Sequence, residues 1–234
     1  MNKLYLIRHG ENIANITKEL SCKIIDYSLT PKGVLQAQQT AEYFRDKNIH
    51  EVYSSPLKRA IETSTIIASS IGLNFSVMEN FREINVGTLE QQPTNLNNWA
   101  FYNNTISEWL TGNLATRFPE GEDYNTLLTR MLEGVRQILH SKENRNILII
   151  GHGGIFTATI SNLCAGVDLN LLLTKENHNC SITEIDMSDL NGKPVGKLQS
   201  WANHTHLHGV AANLISVLPN FSELTEQYTE KIHD

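Results

Sequence analysis

The stretch Leu4-Tyr5-Leu6-Ile7-Arg8-His9-Gly10-Glu11 is an apolar run that stops abruptly at an arginine, a histidine and a glycine. The stretch Ile147-Leu148-Ile149-Ile150-Gly151-His152-Gly153-Gly154 has the same build. Four consecutive apolar residues bounded by turn signals read as a strand buried on both faces, as strands inside a parallel sheet are. In open α/β sheets the ligand crevice lies beyond the carboxyl ends of the strands, so the residues directly after such runs are the first candidates for chemistry. A histidine stands at each of these ends, His9 and His152.

Between the two runs the pattern is helical and extended by turns. Thr30-Pro31 is an N-cap followed by proline at the first helical position, and Val34, Ala37, Ala41 and Phe44 continue a helical face. A strand is expected over 50–53. Ser54-Ser55-Pro56 repeats the cap-then-proline signal and predicts a helix through Leu57, Ala60, Ile61, Thr65 and Ala68, with a small edge strand at Val77-Met78. From Gly87 to about Glu122 the sequence is polar and Asn-rich, punctuated by Trp99, Phe101, Tyr102 and Trp109, with helical spacing around Ile106 to Leu110. This segment reads as an insertion over the crevice, a cap at about 88–122 in a single domain spanning 1–234.

Helices over 123–140 and 155–163 follow, then a strand over 181–186. The dipeptide Asn191-Gly192 is a hairpin turn signal that would pair this strand with the stretch from Lys197 to Trp201. The tail from Glu223 to Asp234 reads as a polar helix or as disorder.

Composition narrows the function classes. The chain has 234 residues, 40% of them apolar, and a net charge of −6, so nothing electrostatic points to nucleic acid or an anionic membrane as partner. Any affinity for phosphate must be local. Cys22, Cys164 and Cys180 cannot pair completely and show no metal-ligand spacing, which predicts free thiols in a reducing compartment. No stretch reaches the roughly 20 apolar residues of a membrane span, and the first eight residues are too short for a signal peptide, so a cytoplasmic protein is expected. His204, His206 and His208 alternate, which on a strand would put all three on one face. With no carboxylate or cysteine in step with them, a metal site is not expected there.

Arg8-His9-Gly10-Glu11 with Asn15 resembles the RHG signature of the histidine phosphatase (phosphoglycerate mutase-like) superfamily. Further matches follow in the family's order: Leu29-Thr30-Pro31-Lys32-Gly33, Ser55-Pro56-Leu57-Lys58-Arg59-Ala60, Glu83 four residues before Gly87, and Gly151-His152-Gly153-Gly154. The resemblance covers residues 4 to about 185. It implies a three-layer α/β/α sandwich with a mostly parallel central sheet and an inserted helical cap, acting on a small phosphorylated substrate with neither cofactor nor metal.

The residue types suit phosphoryl transfer independently of the family. A phosphomonoester dianion needs a nucleophile, cations on its oxygens and an acid for the leaving alkoxide. Imidazole, with an unperturbed pKa of about 6.5, is a nucleophile near neutral pH, and neighbouring arginines favour its neutral form. His9 is the expected nucleophile. Arg8 and Arg59 offer planar forks for phosphate oxygens, and Gly10 and Gly153 would let backbone amides come close. By resemblance, His152 donates to the transferring group, Asn15 contacts phosphate and Glu83 protonates the leaving oxygen, with Glu11 a weaker acid candidate. Asn179-Cys180-Ser181 resembles an Asn-x-Ser that closes the pocket.

The match also departs from the family. Phosphoglycerate mutases carry tryptophan where Ala14 precedes Asn15 and a different segment where Cys22 to Tyr27 stands, which moves the expectation from mutase to phosphatase. Many phosphatase members have G-x-W-E-G after the glutamate, whereas this chain has Gly87-Thr88-Leu89-Glu90-Gln91. A mutase and a non-catalytic binder of phosphorylated ligands remain alternatives, and a homodimer is left open.

Overall fold

The alternation of side chains along two buried strands builds the molecule. The structure, a computed structural model, describes residues 1–190 and 193–216. In chain order the first half forms β1 (Asn2–Arg8), α1 (Ile13–Thr17), α2 (Pro31–Phe44), β2 (Glu51–Ser54), α3 (Lys58–Ser70) and β3 (Phe75–Val77). The second half forms α4 (Leu96–Leu110), α5 (Tyr124–Leu139), β4 (Asn146–Gly151), α6 (Gly153–Leu163), α7 (Leu169–Leu173), β5 (Ile182–Leu190) and β6 (Lys193–Asn203).

The strands form a six-stranded sheet in the order β3-β2-β4-β1-β5-β6. Strands β3, β2, β4 and β1 are parallel, while β5 and β6 add antiparallel to the β1 edge. Leu4, Leu6, Ile147 and Ile149 pack with the apolar faces of α5 and α6, through Leu127, Met131, Val135, Phe156 and Ile160. Their neighbours Tyr5, Ile7, Leu148 and Ile150 pack on the other side with Ala41 and Phe44 of α2 and Ala60 and Ile67 of α3. Helices cover both faces of the sheet, so the expected α/β sandwich is the observed fold. Every residue of the two central runs is then apolar, because each face of these strands is an interior.

Several local expectations shift. Helix α3 begins at Lys58, with Leu57 as a cap residue that makes no side-chain bond. Ser55 does not serve as its cap because its Oγ is drawn to His152 Nε2 at 2.6 Å, and Ser54 Oγ donates to the Ser55 carbonyl. Helix α4 starts well before Ile106, where the Asn95 side chain accepts the Asn98 N–H at 2.9 Å. Helix α6 starts two residues earlier than expected, directly after His152. The expected hairpin is present as β5 and β6, with a register shift between Ile182 and Ile185. Its turn at 191–192 and the tail from 223 to 234 lie outside the described residues.

The three alternating histidines do not share a strand face, because β6 ends at Asn203 and the chain turns. His204 packs on the ring of His178, His206 Nε2 bonds Thr40 Oγ1 at 3.0 Å, and His208 is exposed. All three cysteines are free and buried. Among the described residues no helix is long and apolar enough to cross a membrane.

Candidate active site

The pairing of β1 with β4 puts Arg8 opposite Gly151, so His9 and His152 leave neighbouring strands at the same level. The His9 N–H continues the ladder to the Gly151 carbonyl at 3.0 Å. The two rings sit 5.1 Å apart between centroids, both fully interior, with His9 3% and His152 0% exposed.

The hydrogen bonds around His9 fix its tautomer. Nδ1 lies 2.7 Å from the Gly10 carbonyl, which can only accept, so Nδ1 carries the proton. Nε2 therefore keeps its lone pair, and Arg59 Nε–H donates to it at 3.0 Å. Burial and the nearby guanidinium groups of Arg59 and Arg8 hold the His9 pKa well below 6.5, against a smaller opposing effect of the Gly10 bond. The ring is neutral at physiological pH, with its unprotonated nitrogen near two cations.

Those cations are buried. Arg59 donates through Nη1 to Ser21 Oγ and through Nη2 to the Ser21 carbonyl, each at 2.8 Å. Arg8 donates through Nη1 to the Asn177 carbonyl at 2.6 Å, and its Nε is a buried donor with no protein partner. Burial lowers the Arg8 pKa to about 10, which leaves it charged at neutral pH. His152 has a second orphan. Ser55 Oγ receives the Leu57 N–H and lies 2.6 Å from His152 Nε2, while His152 Nδ1 is buried with no protein partner. Arg8 Nε, together with the orphan Asn12 Nδ2 and Asn177 Nδ2, gives buried donors that suit an anion with several oxygens.

Glu83 reaches the N-terminus of α6. Its Oε1 accepts the N–H groups of Ile84 at 2.9 Å and Ile155 at 2.8 Å, and its Oε2 accepts only that of Gly154, at 3.1 Å. A Cβ at position 154 would stand 2.7 Å from Oε1, so glycine is required there for the carboxylate to dock. Asn15 accepts through Oδ1 from the Asn12 N–H and from Asn179 Nδ2. Asn179 Nδ2 also reaches the His9 carbonyl at 3.0 Å, tying the Asn-x-Ser segment to His9.

Arg8, His9, Asn15, Arg59, Glu83 and Gly153 together border one cavity of about 300 Å³. Three expected residues are not among those that border it: Gly10, Glu11 and His152, the last fully buried behind His9. Gly10 spends its N–H on Thr63 Oγ1 at 3.0 Å, and a Cβ there would lie 2.5 Å from the Gly33 carbonyl. Its glycine serves the close approach of α2, and its amide is not offered to a ligand. Glu11 is ion-paired with Lys32 at 2.5 Å and bonded by Thr30 Oγ1, away from the cavity. Gly153 keeps its place beside the site, where a Cβ would press on Arg8 Cδ at 3.3 Å.

Sequence reasoning missed what holds Ser21 and Glu83. Glu90 is buried, and its Oε1 accepts the backbone N–H groups of Cys22, Lys23, Ile24 and Ile25 at 2.7 to 3.0 Å. One carboxylate thus clasps the loop that carries the partner of Arg59. Arg130 donates to the carbonyls of Asn80, Arg82 and Glu83 and pairs with Glu122 at 2.7 Å, fixing the segment that delivers Glu83. The available signals were weak: a lone carboxylate after a short apolar stretch, and an arginine inside an amphipathic helix.

The chain belongs to the histidine phosphatase superfamily, whose branch 1 sequence model matches residues 4–199. It is 33% identical over 190 residues to a protein of Erwinia tasmaniensis named "Probable phosphoglycerate mutase GpmB", covering 80% of this chain and 85% of that one. A Proteus mirabilis protein of the same name is 32% identical with the same coverage. Among solved structures, the phosphoserine phosphatase of Entamoeba histolytica in complex with 3-phosphoglyceric acid superposes with a TM-score of 0.71 at 26% identity. The match covers 89% of this chain and all of that one.

Two outcomes are expected. Burial alone would raise the Glu90 pKa, but the four backbone N–H bonds outweigh it and hold the carboxyl below its ordinary value. The stabilisation is present above the unfolded value of about 4.3 and is lost as pH falls through the lower folded value. Glu90→Gln should therefore cost ~2 kcal/mol in urea denaturation at about pH 7, with the gap to wild type closing below about pH 4. Because His9 is already neutral well below its usual range, kcat/KM for p-nitrophenyl phosphate should show no fall centred near about pH 6.5 as pH is lowered to about 5.5. A titration at that point would contradict the depressed His9.

Proposed function

We propose that the chain is a phosphomonoesterase that hydrolyses a small phosphorylated metabolite through a phosphohistidine on His9, without a metal ion. The observation that carries this reading is the state of His9 Nε2, an unprotonated nitrogen in a buried site between two guanidinium groups. Substrate phosphate sits against Arg8 Nε, Arg59, Asn15 and His152 Nδ1–H. The Arg59 Nε–H bond moves from Nε2 to a phosphoryl oxygen, which frees the lone pair for in-line attack. The Nε2–P bond forms as the ester P–O bond breaks, and the leaving oxygen takes a proton.

Glu83 is the proposed donor of that proton. Its Oε2 accepts a single N–H bond, from Gly154, and so has room to carry a proton while Oε1 stays anchored to the helix end. In the second step the same carboxylate takes a proton from the water that attacks phosphohistidine, releasing inorganic phosphate and restoring Nε2. The segment at about 88–122, with α4 at its centre, acts as the cap over this site, and three free, buried thiols suit a reducing, cytoplasmic setting.

A mutase reading is favoured by the names of the Erwinia and Proteus proteins. It would return the phosphoryl group from His9 to a second hydroxyl instead of water. Ala14 and the segment from Cys22 to Tyr27 stand against it, and an assay for interconversion of 3- and 2-phosphoglycerate separates the two.

Hydrolysis of p-nitrophenyl phosphate in the presence of chelator should be lost in His9→Ala with the fold retained by circular dichroism. Glu83→Gln should lose ~100-fold or more in kcat on an alkyl phosphate, whose leaving group needs the proton, and far less on p-nitrophenyl phosphate. Equal losses on both esters would remove Glu83 from the acid role.

A further inference from the structure

The walls of the cavity differ in kind from its floor. Above Arg8, His9 and Arg59 it is bordered by Ile84, Val86, Trp99, Tyr102, Ile106 and Trp109. The polar tips of the two tryptophans are spent on the protein. Trp99 Nε1 donates to the Lys18 carbonyl at 3.0 Å and Trp109 Nε1 to the Thr116 carbonyl at 2.7 Å. Their neighbour Tyr124, also on the wall, has its hydroxyl oxygen within 2.9 Å of the Ala158 carbonyl and 2.6 Å of the Asn162 side chain. What Trp99, Trp109 and Tyr124 offer the cavity is ring surface.

The rings are also held firm. Tyr102 stacks on Phe118 with centroids 5.7 Å apart, and Trp109 meets Phe118 edge-on at 5.5 Å. A wall braced in this way does not need to collapse or reorder when a ligand enters, so apolar contact is gained at little entropic cost.

Charge points the same way. With Arg8 and Arg59 assigned to the phosphate, the remaining ionisable lining residues are Lys18 and Lys175 against Glu19, Glu83 and Glu176. The Lys18 ammonium is already bonded to the Ser216 carbonyl. With Glu83 protonated as the proposed acid, two lysines stand against Glu19 and Glu176 and leave no net positive charge for a second anionic group on the substrate.

Resting on the phosphatase reading above, we infer that the alcohol part of the substrate is an uncharged, bulky apolar or aromatic group seated against the α4 wall. It does not carry a carboxylate or a second phosphate. This goes beyond phosphoester hydrolysis as such and assigns Ile106, Trp99 and Trp109 to substrate selection.

The test compares two esters of primary alcohols, so that the leaving groups are chemically alike: 2-phenylethyl phosphate and 3-phosphoglycerate. Calorimetric titration of the His9→Ala protein reads binding without turnover and does not depend on the phosphatase reading, which p-nitrophenyl phosphate hydrolysis by the wild type reports separately. Binding of 2-phenylethyl phosphate about 10-fold or more tighter than that of 3-phosphoglycerate is expected, from burial of one ring. Ile106→Arg in the same background should narrow or reverse the ratio. Equal affinities, binding of neither ester, tighter binding of 3-phosphoglycerate, or a ratio indifferent to Ile106→Arg would each overturn the inference.

Discussion

The parallel pairing of β1 with β4 is the constraint from which the site follows. A register of Arg8 against Gly151 brings two histidines, more than 140 residues apart in sequence, to the same edge of the sheet. Because side chains alternate in a strand, slipping this register by one residue would turn every apolar side chain of one strand into the wrong layer. The cores on both faces therefore lock the register that sets the spacing of His9 and His152. Stability and geometry come from the same contacts: the sheet cannot be packed correctly without assembling the two rings.

What the sheet assembles, the loops keep charged. Two guanidinium groups lie in the interior, where an isolated charge would cost several kcal/mol. Each is met by backbone carbonyl oxygen, from Asn177 for Arg8 and from Ser21 for Arg59. The Ser21 loop is in turn gathered by Glu90, and the Glu83 segment by Arg130. Among the described residues, the buried donors without a protein partner that belong to cavity-lining residues are Arg8 Nε, Asn12 Nδ2 and Asn177 Nδ2. The arrangement concentrates positive potential at His9 Nε2, keeps the imidazole neutral, and leaves hydrogen-bonding capacity where phosphoryl oxygens would lie.

Much of this was legible in the sequence because the informative residues sit at strand ends. The runs at 4–7 and 147–150 disclosed the central strands, and the residues directly after them disclosed His9 and His152. Arg59 and Glu83 were found by motif resemblance and not by any local physical signal, since neither lies at the end of a central strand. The misreadings have a common cause. Ser55 resembles a helix cap and Gly10 a ligand-binding turn when each is considered in its own segment. In the fold Ser55 is taken by His152 and the Gly10 amide by Thr63, contacts between residues 97 and 53 positions apart. Glu90 and Arg130 escaped notice for the same reason: what they hold is backbone from other segments, which composition and spacing do not reveal. The alternating histidines, for which no metal site was expected, follow the end of β6 and do not share a strand face.

The account turns on His9 Nε2 accepting a phosphoryl group from substrate. Rapid quench of the wild-type chain during turnover of p-nitrophenyl phosphate, followed by intact-mass and peptide analysis, tests that most directly. The expected result is a mass gain of one phosphoryl group, stable to base and labile to acid, mapped to the peptide containing His9 and missing from His9→Ala. Turnover with no labelled histidine under conditions that trap the first step, or a label on His152 or on a serine, would contradict the account.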